Sequence, residues 1–131
     1  MAYLLDTCAI LFIAQKTADL SAATLGLIDA APAGEVFVSA VSVAELACLQ
    51  EGRRITLNQH WRAWWSELLK RTAWPCLPIT AEIMAEAYSL PPPVHRDPAD
   101  RVLIATARAE RLTLVTTDGK IRDYPHVSTV S

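Results

Sequence analysis

Five carboxylates in this chain stand beside the ends of predicted elements, where side chains gather in α/β proteins. Asp6 directly follows the apolar run Tyr3-Leu4-Leu5, and Asp118 follows Val115-Thr116-Thr117. Glu45 lies on the first turn of a helix opened by Ser42, while Asp97 and Asp100 begin another at Pro98. If the strands run parallel, all five reach the same edge of the sheet. Converging carboxylates repel one another, and partial burial raises their pKa values. A divalent cation resolves that conflict, because hard Mg²⁺ or Mn²⁺ takes oxygen ligands. The chemistry open to such a site is phosphate-ester hydrolysis: the cation holds the phosphate, acidifies a bound water and stabilises the leaving oxygen. Thr7, Thr116 and Thr117 could orient ligands or waters from behind the acids.

Each of these residues also has a local reading. Ser42-Val43-Ala44-Glu45 matches a capping box, in which Glu45 reaches back to its own helix start. Asp97 suits an N-cap ahead of Pro98, and a negative Asp100 at the third helical position suits the helix dipole. Asp118-Gly119 is a common turn pair. Asp6 could cap the first short helix, and the threonines could be strand-end and cap hydroxyls. What favours the chemical reading is the set: folding does not gather several negative groups at one edge for its own sake.

The elements that must position them follow from periodicity and turn residues. Apolar and β-branched runs predict strands at 3–5, 36–38, 76–79, 112–115 and 127–130. Helices are predicted at 7–14, 21–31, 42–50, 58–71, 80–89 and 98–110, punctuated by Pro32-Ala33-Gly34, Gly52 and Pro91-Pro92-Pro93. Strands alternating with helices point to βαβ units, a mainly parallel sheet and helices on both faces. In such sheets ligands collect outside the carboxyl ends of the strands. That places attention just after Leu5, Val38 and Val115.

At 131 residues the chain fits one compact domain, able to bury roughly two thirds of its unfolded surface. Apolar residues make up 52%, without a low-complexity block, which excludes a disordered chain. A net charge of −2 rules out a molecule that attracts nucleic acid by its total charge, though an acidic metal site would mask a local basic face. Cys8, Cys48 and Cys76 are odd in number and widely spaced, which fits reduced thiols better than disulfides or a zinc site. His60, His95 and His126 are likewise too scattered for zinc. Asp6 arrives too early for a signal-peptide layout, and no apolar run approaches the ~20 residues of a membrane span. A cytoplasmic location is expected.

The chain resembles the PIN-domain nucleases, and among them the VapC toxins of toxin–antitoxin pairs. The resemblance rests on Leu4-Leu5-Asp6-Thr7, on Val41-Ser42-Val43-Ala44-Glu45-Leu46, and on the stretch from His95 to Ala107 containing Asp97-Pro98-Ala99-Asp100-Arg101. It is completed by Leu112-Thr113-Leu114-Val115-Thr116-Thr117-Asp118. It implies a three-layer α/β/α sandwich with a mainly parallel central sheet, as one nuclease domain over residues 1–131. It implies Asp6, Glu45, Asp100 and Asp118 as catalytic metal-site acids for Mg²⁺ or Mn²⁺, with Asp97, Thr7, Thr116 and Arg101 behind them. The implied reaction is endonucleolytic hydrolysis of RNA, tRNA or rRNA among the targets. The implied partners are a VapB-type antitoxin, whose C-terminal segment covers the site, and a second copy of the chain.

Other features carry two readings each. Trp61, Trp64, Trp65 and Leu68 form a stripe at helical spacing that is either core or a groove for a partner helix. Arg53-Arg54 could meet RNA phosphates or an acidic tail, or be merely solvated. Arg101 could hold a phosphate or a neighbouring carboxylate, or form a structural ion pair. Lys120 and Arg122 could line an RNA path. Cys8, near a helix start, is either a thiol of lowered pKa or a small buried apolar residue. Two other functions compete with hydrolysis. A receiver-like Mg²⁺ phosphoacceptor would want an adjacent acid pair after the first strand, where this chain has Asp6-Thr7-Cys8. A domain that grips RNA or a partner without cutting remains the third reading.

Overall fold

The structure is a computed structural model and describes residues 1–94 and 96–131. In chain order its elements are β1 (Tyr3–Leu5), α1 (Thr7–Ala14), α2 (Ala22–Ala30), β2 (Val36–Ser39), α3 (Val41–Glu51) and α4 (Trp61–Thr72). They continue with β3 (Cys76–Leu77), α5 (Ala81–Ala87), α6 (Pro98–Glu110), β4 (Thr113–Val115), α7 (Gly119–Arg122) and β5 (Thr129–Val130). The strands form one sheet in the order β3-β2-β1-β4-β5, and every neighbouring pair is parallel.

The side-chain alternation of a strand divides the core in two. Tyr3, Leu5, Val36, Val38 and Val115 pack on one face with Ile10 of α1, Ile28 of α2, Leu46 of α3 and Trp64, Trp65 and Leu68 of α4. Leu4 and Leu114 point the other way, onto Ile83 and Ala87 of α5, Leu103 and Ile104 of α6, and Ile121 of α7. β1 is buried throughout, which is why it reads as an unbroken apolar run rather than an alternating one. The expected three-layer α/β/α sandwich is therefore what forms.

Most predicted elements appear, with differences at their ends. α6 begins at Pro98 as expected, because Asp97 accepts a hydrogen bond from the Asp100 N–H at 3.0 Å. α4 starts at Trp61, later than the predicted 58. His60 Nδ1 accepts from the Arg62 N–H, and Gln50 Oε1 accepts from the Trp61 N–H at 2.7 Å, so the helix start is held from α3. β3 and β5 are shorter than predicted; each is an edge strand with one neighbour, and pairing ends where that ladder ends. α7 was not foreseen, since Asp118-Gly119 reads locally as a turn.

The strand order decides where a site can form. After β1 the chain builds outward to β2 and β3, then returns to place β4 on the other side of β1. α1 leaves β1 toward one face, and α7 leaves β4 toward the other. A crevice opens between them, outside the carboxyl ends of β1 and β4, as expected at a topological switch point.

Candidate active site

Asp6 stands in that crevice, extended, one residue beyond β1. Its own N–H continues the ladder to the Val115 carbonyl at 3.1 Å, and its Oδ1 accepts from the Ala9 N–H at 2.7 Å, capping α1. It is 6% exposed, an unusual degree of burial for a carboxylate. Thr116, fully buried, accepts the Asp118 N–H through its hydroxyl oxygen at 3.1 Å and hydrogen-bonds to the Asp6 carboxylate. One side chain thus ties the two acid-bearing strand ends together.

Glu45 comes from the second turn of α3. The expected capping box does not form: α3 starts at Val41, Ala40 offers no side-chain cap, and Ser39 Oγ instead accepts from the Val41 N–H at 3.1 Å. Ser42 is then inside the helix, fully buried, with its hydroxyl 2.9 Å from Thr7 Oγ1. Thr7 in turn donates to Glu45 Oε1. Because Thr7 spends its single proton on Glu45, Ser42 is the donor to Thr7. The relay Ser42–Thr7–Glu45 fixes the glutamate from the start of the neighbouring helix α1. Sequence reasoning missed Ser42; the signal available was its position three residues before Glu45, on the same helical face.

Asp118 caps α7 through the Lys120 N–H at 2.8 Å, and the half-buried Asp100 lies one turn into α6 behind Asp97. The local readings of Asp6 and Asp97 as helix caps are therefore correct, and Asp118, read locally as a turn residue, caps a short helix as well. They do not exclude the chemical one, since a carboxylate has about four acceptor positions and a cap uses one. Asp6, Thr7, Glu45, Asp97, Asp100, Thr117 and Asp118 line a single cavity of about 430 Å³, together with Cys8, Leu103 and Lys120.

The acids respond to one another in that cavity. Burial first, then Asp97, Asp118, Glu45 and Asp6, push Asp100 up to about 7. Asp6 is raised by burial and by Asp118, against hydrogen bonds from Thr116 and Ala9 that lower it. Glu45 is raised by burial, Asp97 and Asp6, against the bond from Thr7. Among the described residues no lysine or arginine counters the charge on Asp6 or Glu45.

A hard divalent cation fits this donor set, which is all oxygen and short of positive charge. Among the described residues no three or more His, Cys, Asp or Glu side chains are already drawn together as a coordination cage. The carboxylates line the cavity without closing into a cage. Among the described residues no imidazole lines the cavity. His60 caps α4, His126 lies edge-on to Tyr124, and His95 falls outside the described residues.

The family model described as the PIN domain matches residues 3–127. The chain belongs to the PIN-domain family. This PIN domain is 37% identical over 94 residues to Ribonuclease VapC22 of Mycobacterium tuberculosis (strain ATCC 25618 / H37Rv), covering 72% of this chain and 71% of that protein. Among solved structures it is similar to a toxin–antitoxin complex from Klebsiella pneumoniae, with a TM-score of 0.68 and 17% identity over 99% of this chain and 97% of that one. It is also similar to VapBC2 from Rickettsia felis bound to a DNA fragment from their promoter, with a TM-score of 0.69 and 19% identity over 98% and 97%. At those identities the structural likeness speaks to fold alone. The resemblance to PIN-domain nucleases and the VapC proteins, read from the sequence, is borne out by the family match and the mycobacterial relative.

Not every expected residue reaches the cavity of this PIN domain. Arg101 turns away: its guanidinium lies 4.9 Å from the Tyr88 ring centroid and donates to the Ala87 carbonyl at 3.3 Å, so it ties α6 to α5. Cys8 is neither of the things expected of it. It is exposed, and loss of hydration followed by the charges on Asp6, Glu45, Asp118 and Asp100 pushes its thiol up to about 11. Trp64, Trp65 and Leu68 are core, whereas Trp61 is only partly buried and borders a separate hollow with Val43 and Arg62. Arg53 is exposed, and Arg54 lines an apolar groove of about 630 Å³ between α3, α5 and α6. That groove shares Glu45 and Asp97 with the acid cavity and was not visible in the sequence.

Proposed function

We propose that this PIN domain, as one unit over residues 1–131, is a metal-dependent endoribonuclease and the toxin of a VapBC-type pair. The observation that carries the proposal is the meeting of Asp6, Glu45, Asp100 and Asp118, from four segments, around one cavity where three of them are pushed toward protonation. These four would hold Mg²⁺ or Mn²⁺. When bound, the ion supplies positive charge for the scissile phosphate and makes a water acidic enough to attack near neutral pH.

The protein's own groups do the positioning. Thr116 holds the buried Asp6 carboxylate, and the Ser42–Thr7 relay holds Glu45, so both are aimed before any substrate arrives. Asp97 anchors the start of α6 and thereby sets Asp100. Leu103, itself buried, adds an apolar side to the cavity lining. Arg101, bound over Tyr88, has no part in this scheme.

The substrate is RNA, with tRNA or rRNA as the class the family resemblance favours. A cognate VapB-type antitoxin and a homodimer are proposed on the same ground, with similarity in fold to toxin–antitoxin complexes in support. The protein is proposed to act in the cytoplasm; among the described residues no helix is long and apolar enough to cross a membrane.

The test is incubation of the intact chain and of Asp6→Asn with RNA, in Mg²⁺ or Mn²⁺ and in EDTA. Cleavage by the intact chain that vanishes in EDTA and in the folded variant is expected. Undiminished cleavage by Asp6→Asn refutes the assignment, and RNA binding without cleavage in any metal favours a gripping domain instead. New 5′ ends sequenced after brief expression, intact against Asp6→Asn, identify the bond cut.

A further inference from the structure

A second cleft, of about 300 Å³, adjoins the acid cavity and is lined by Pro93, Val94, Lys120, Asp123 and Tyr124. Lys120 is the residue the two spaces share. Its side chain is exposed and forms no ion pair among the described residues, although it stands beside a ring of carboxylates. Its backbone, by contrast, is pinned by the cap from Asp118 at 2.8 Å, so the root of the side chain is fixed at the junction.

On its other flank the acid cavity opens into the apolar groove, and the residues shared there are Glu45 and Asp97. The two exits therefore differ at the edge each shares with the cavity, Glu45 and Asp97 on one side and Lys120 on the other, while Arg54 lies elsewhere in the groove and Asp123 elsewhere in the cleft. A polyanionic strand leaving over Glu45 and Asp97 would run phosphates past two carboxylates, which costs energy even in a screening solvent. A strand leaving over Lys120 meets a cation at the first phosphate beyond the cavity. The cleft beyond suits a base better than a phosphate. Pro93 and Val94 give apolar surface, and Asp123 offers an acceptor of the kind that takes an amino group on a base edge. Tyr124 is held rigid below them, its hydroxyl donating to the Pro91 carbonyl at 2.6 Å.

We infer that the single-stranded RNA leaves the acid cavity over Lys120, which binds the phosphate next to the scissile one, and lays the adjoining nucleotide in the cleft of Pro93, Val94 and Asp123. The inference rests on the ribonuclease reading for its substrate, and it adds a direction to the strand and a cation to the site. Lys120 binds substrate and orients it; it exchanges no proton.

The experiment measures binding of a fluorescent single-stranded RNA oligonucleotide across a salt series in EDTA, where no cutting occurs, for the intact chain, Lys120→Ala, Lys120→Arg and Arg54→Ala. Loss of one phosphate contact in Lys120→Ala should flatten the log–log salt slope by about 0.7. Lys120→Arg should restore the slope, and Arg54→Ala, which lies in the opposite groove, should leave it unchanged. In cleavage assays Lys120→Ala should raise KM more than it lowers kcat. An unchanged slope and KM in Lys120→Ala overturns the inference, as does a larger loss in Arg54→Ala or no measurable RNA binding by the intact chain. The two proposals fail separately. An intact chain that cleaves while Lys120→Ala matches it sinks only the path; an intact chain that never cleaves but loses slope in Lys120→Ala sinks only the nuclease.

Discussion

The acid cavity should make the protein less stable as pH rises, provided no divalent cation is present. Asp100 carries the argument, its pKa raised from the ordinary 3.8 to about 7 by burial and by its acidic neighbours. Between those values the folded chain keeps a proton that the unfolded chain has already released, so stability falls with pH through that window and levels off above it. A shift of that size corresponds to roughly 4 kcal/mol at about 1.36 kcal/mol per unit. Asp100 is only half-buried, and screening by solvent brings the effect to about 2 kcal/mol. The part of it lying between about pH 5 and the folded value, roughly 1.2 kcal/mol, is in a chain of this length a fall in Tm of about 4–6 °C. Asp6 and Glu45 are raised as well and act in the same direction. The assay is thermal unfolding in EDTA at about pH 5 and about pH 8, a range in which paired carboxylates ordinarily favour the higher pH. Asp100→Asn should lose most of the fall, keeping a remnant from Asp6 and Glu45. Excess Mg²⁺ or Mn²⁺ should abolish the fall in the intact chain, because a bound cation favours the charged carboxylates. A Tm in EDTA that stays flat or rises with pH, or an Asp100→Asn protein with the same fall, would refute the reasoning.

Thr7→Val removes the donor to Glu45 and should lower activity and metal affinity about 10–100-fold while the fold persists. Thr7→Ser should recover most of it, and metal titration by calorimetry beside initial rates checks both. Arg101→Ala should leave the cleavage rate within about twofold, since the guanidinium lies over Tyr88; a loss on the order of tenfold or more in rate assays would place it back at the site. Leu46→Ala, at a fully buried core position, should cost about 2–5 kcal/mol in denaturant unfolding without altering the pH dependence described above.

How much of this was legible beforehand depended on the range of each interaction. The start of α6 was legible because Asp97, Pro98 and Asp100 act within one turn of helix. β1 was legible because a strand covered on both faces reads as apolar without alternation. The four acids were legible as a set, since each follows a strand end or opens a helix and a parallel sheet brings such ends to one side. The misreadings were local interpretations displaced by distant partners. Ser42 and Glu45 look like a capping box, but Thr7, 35 and 38 residues away, takes both side chains. Arg101 adjoins Asp100 in sequence yet turns to Tyr88 of the neighbouring helix hairpin. Cys8 follows two buried residues but emerges into the cavity rather than the core.

By itself the sequence determined which residue types could do chemistry here and which helices they would begin, because caps, apolar periodicity and turn residues act over a few positions of chain. Only the tertiary structure decided that the acids share one cavity, that Thr116 and the Ser42–Thr7 pair hold two of them, and that Lys120 stands on one exit while Glu45 and Asp97 border the other. The reason is the strand order β3-β2-β1-β4-β5. It sets segments more than a hundred residues apart side by side, and the charge each carboxylate feels depends on that neighbour and on the water excluded between them.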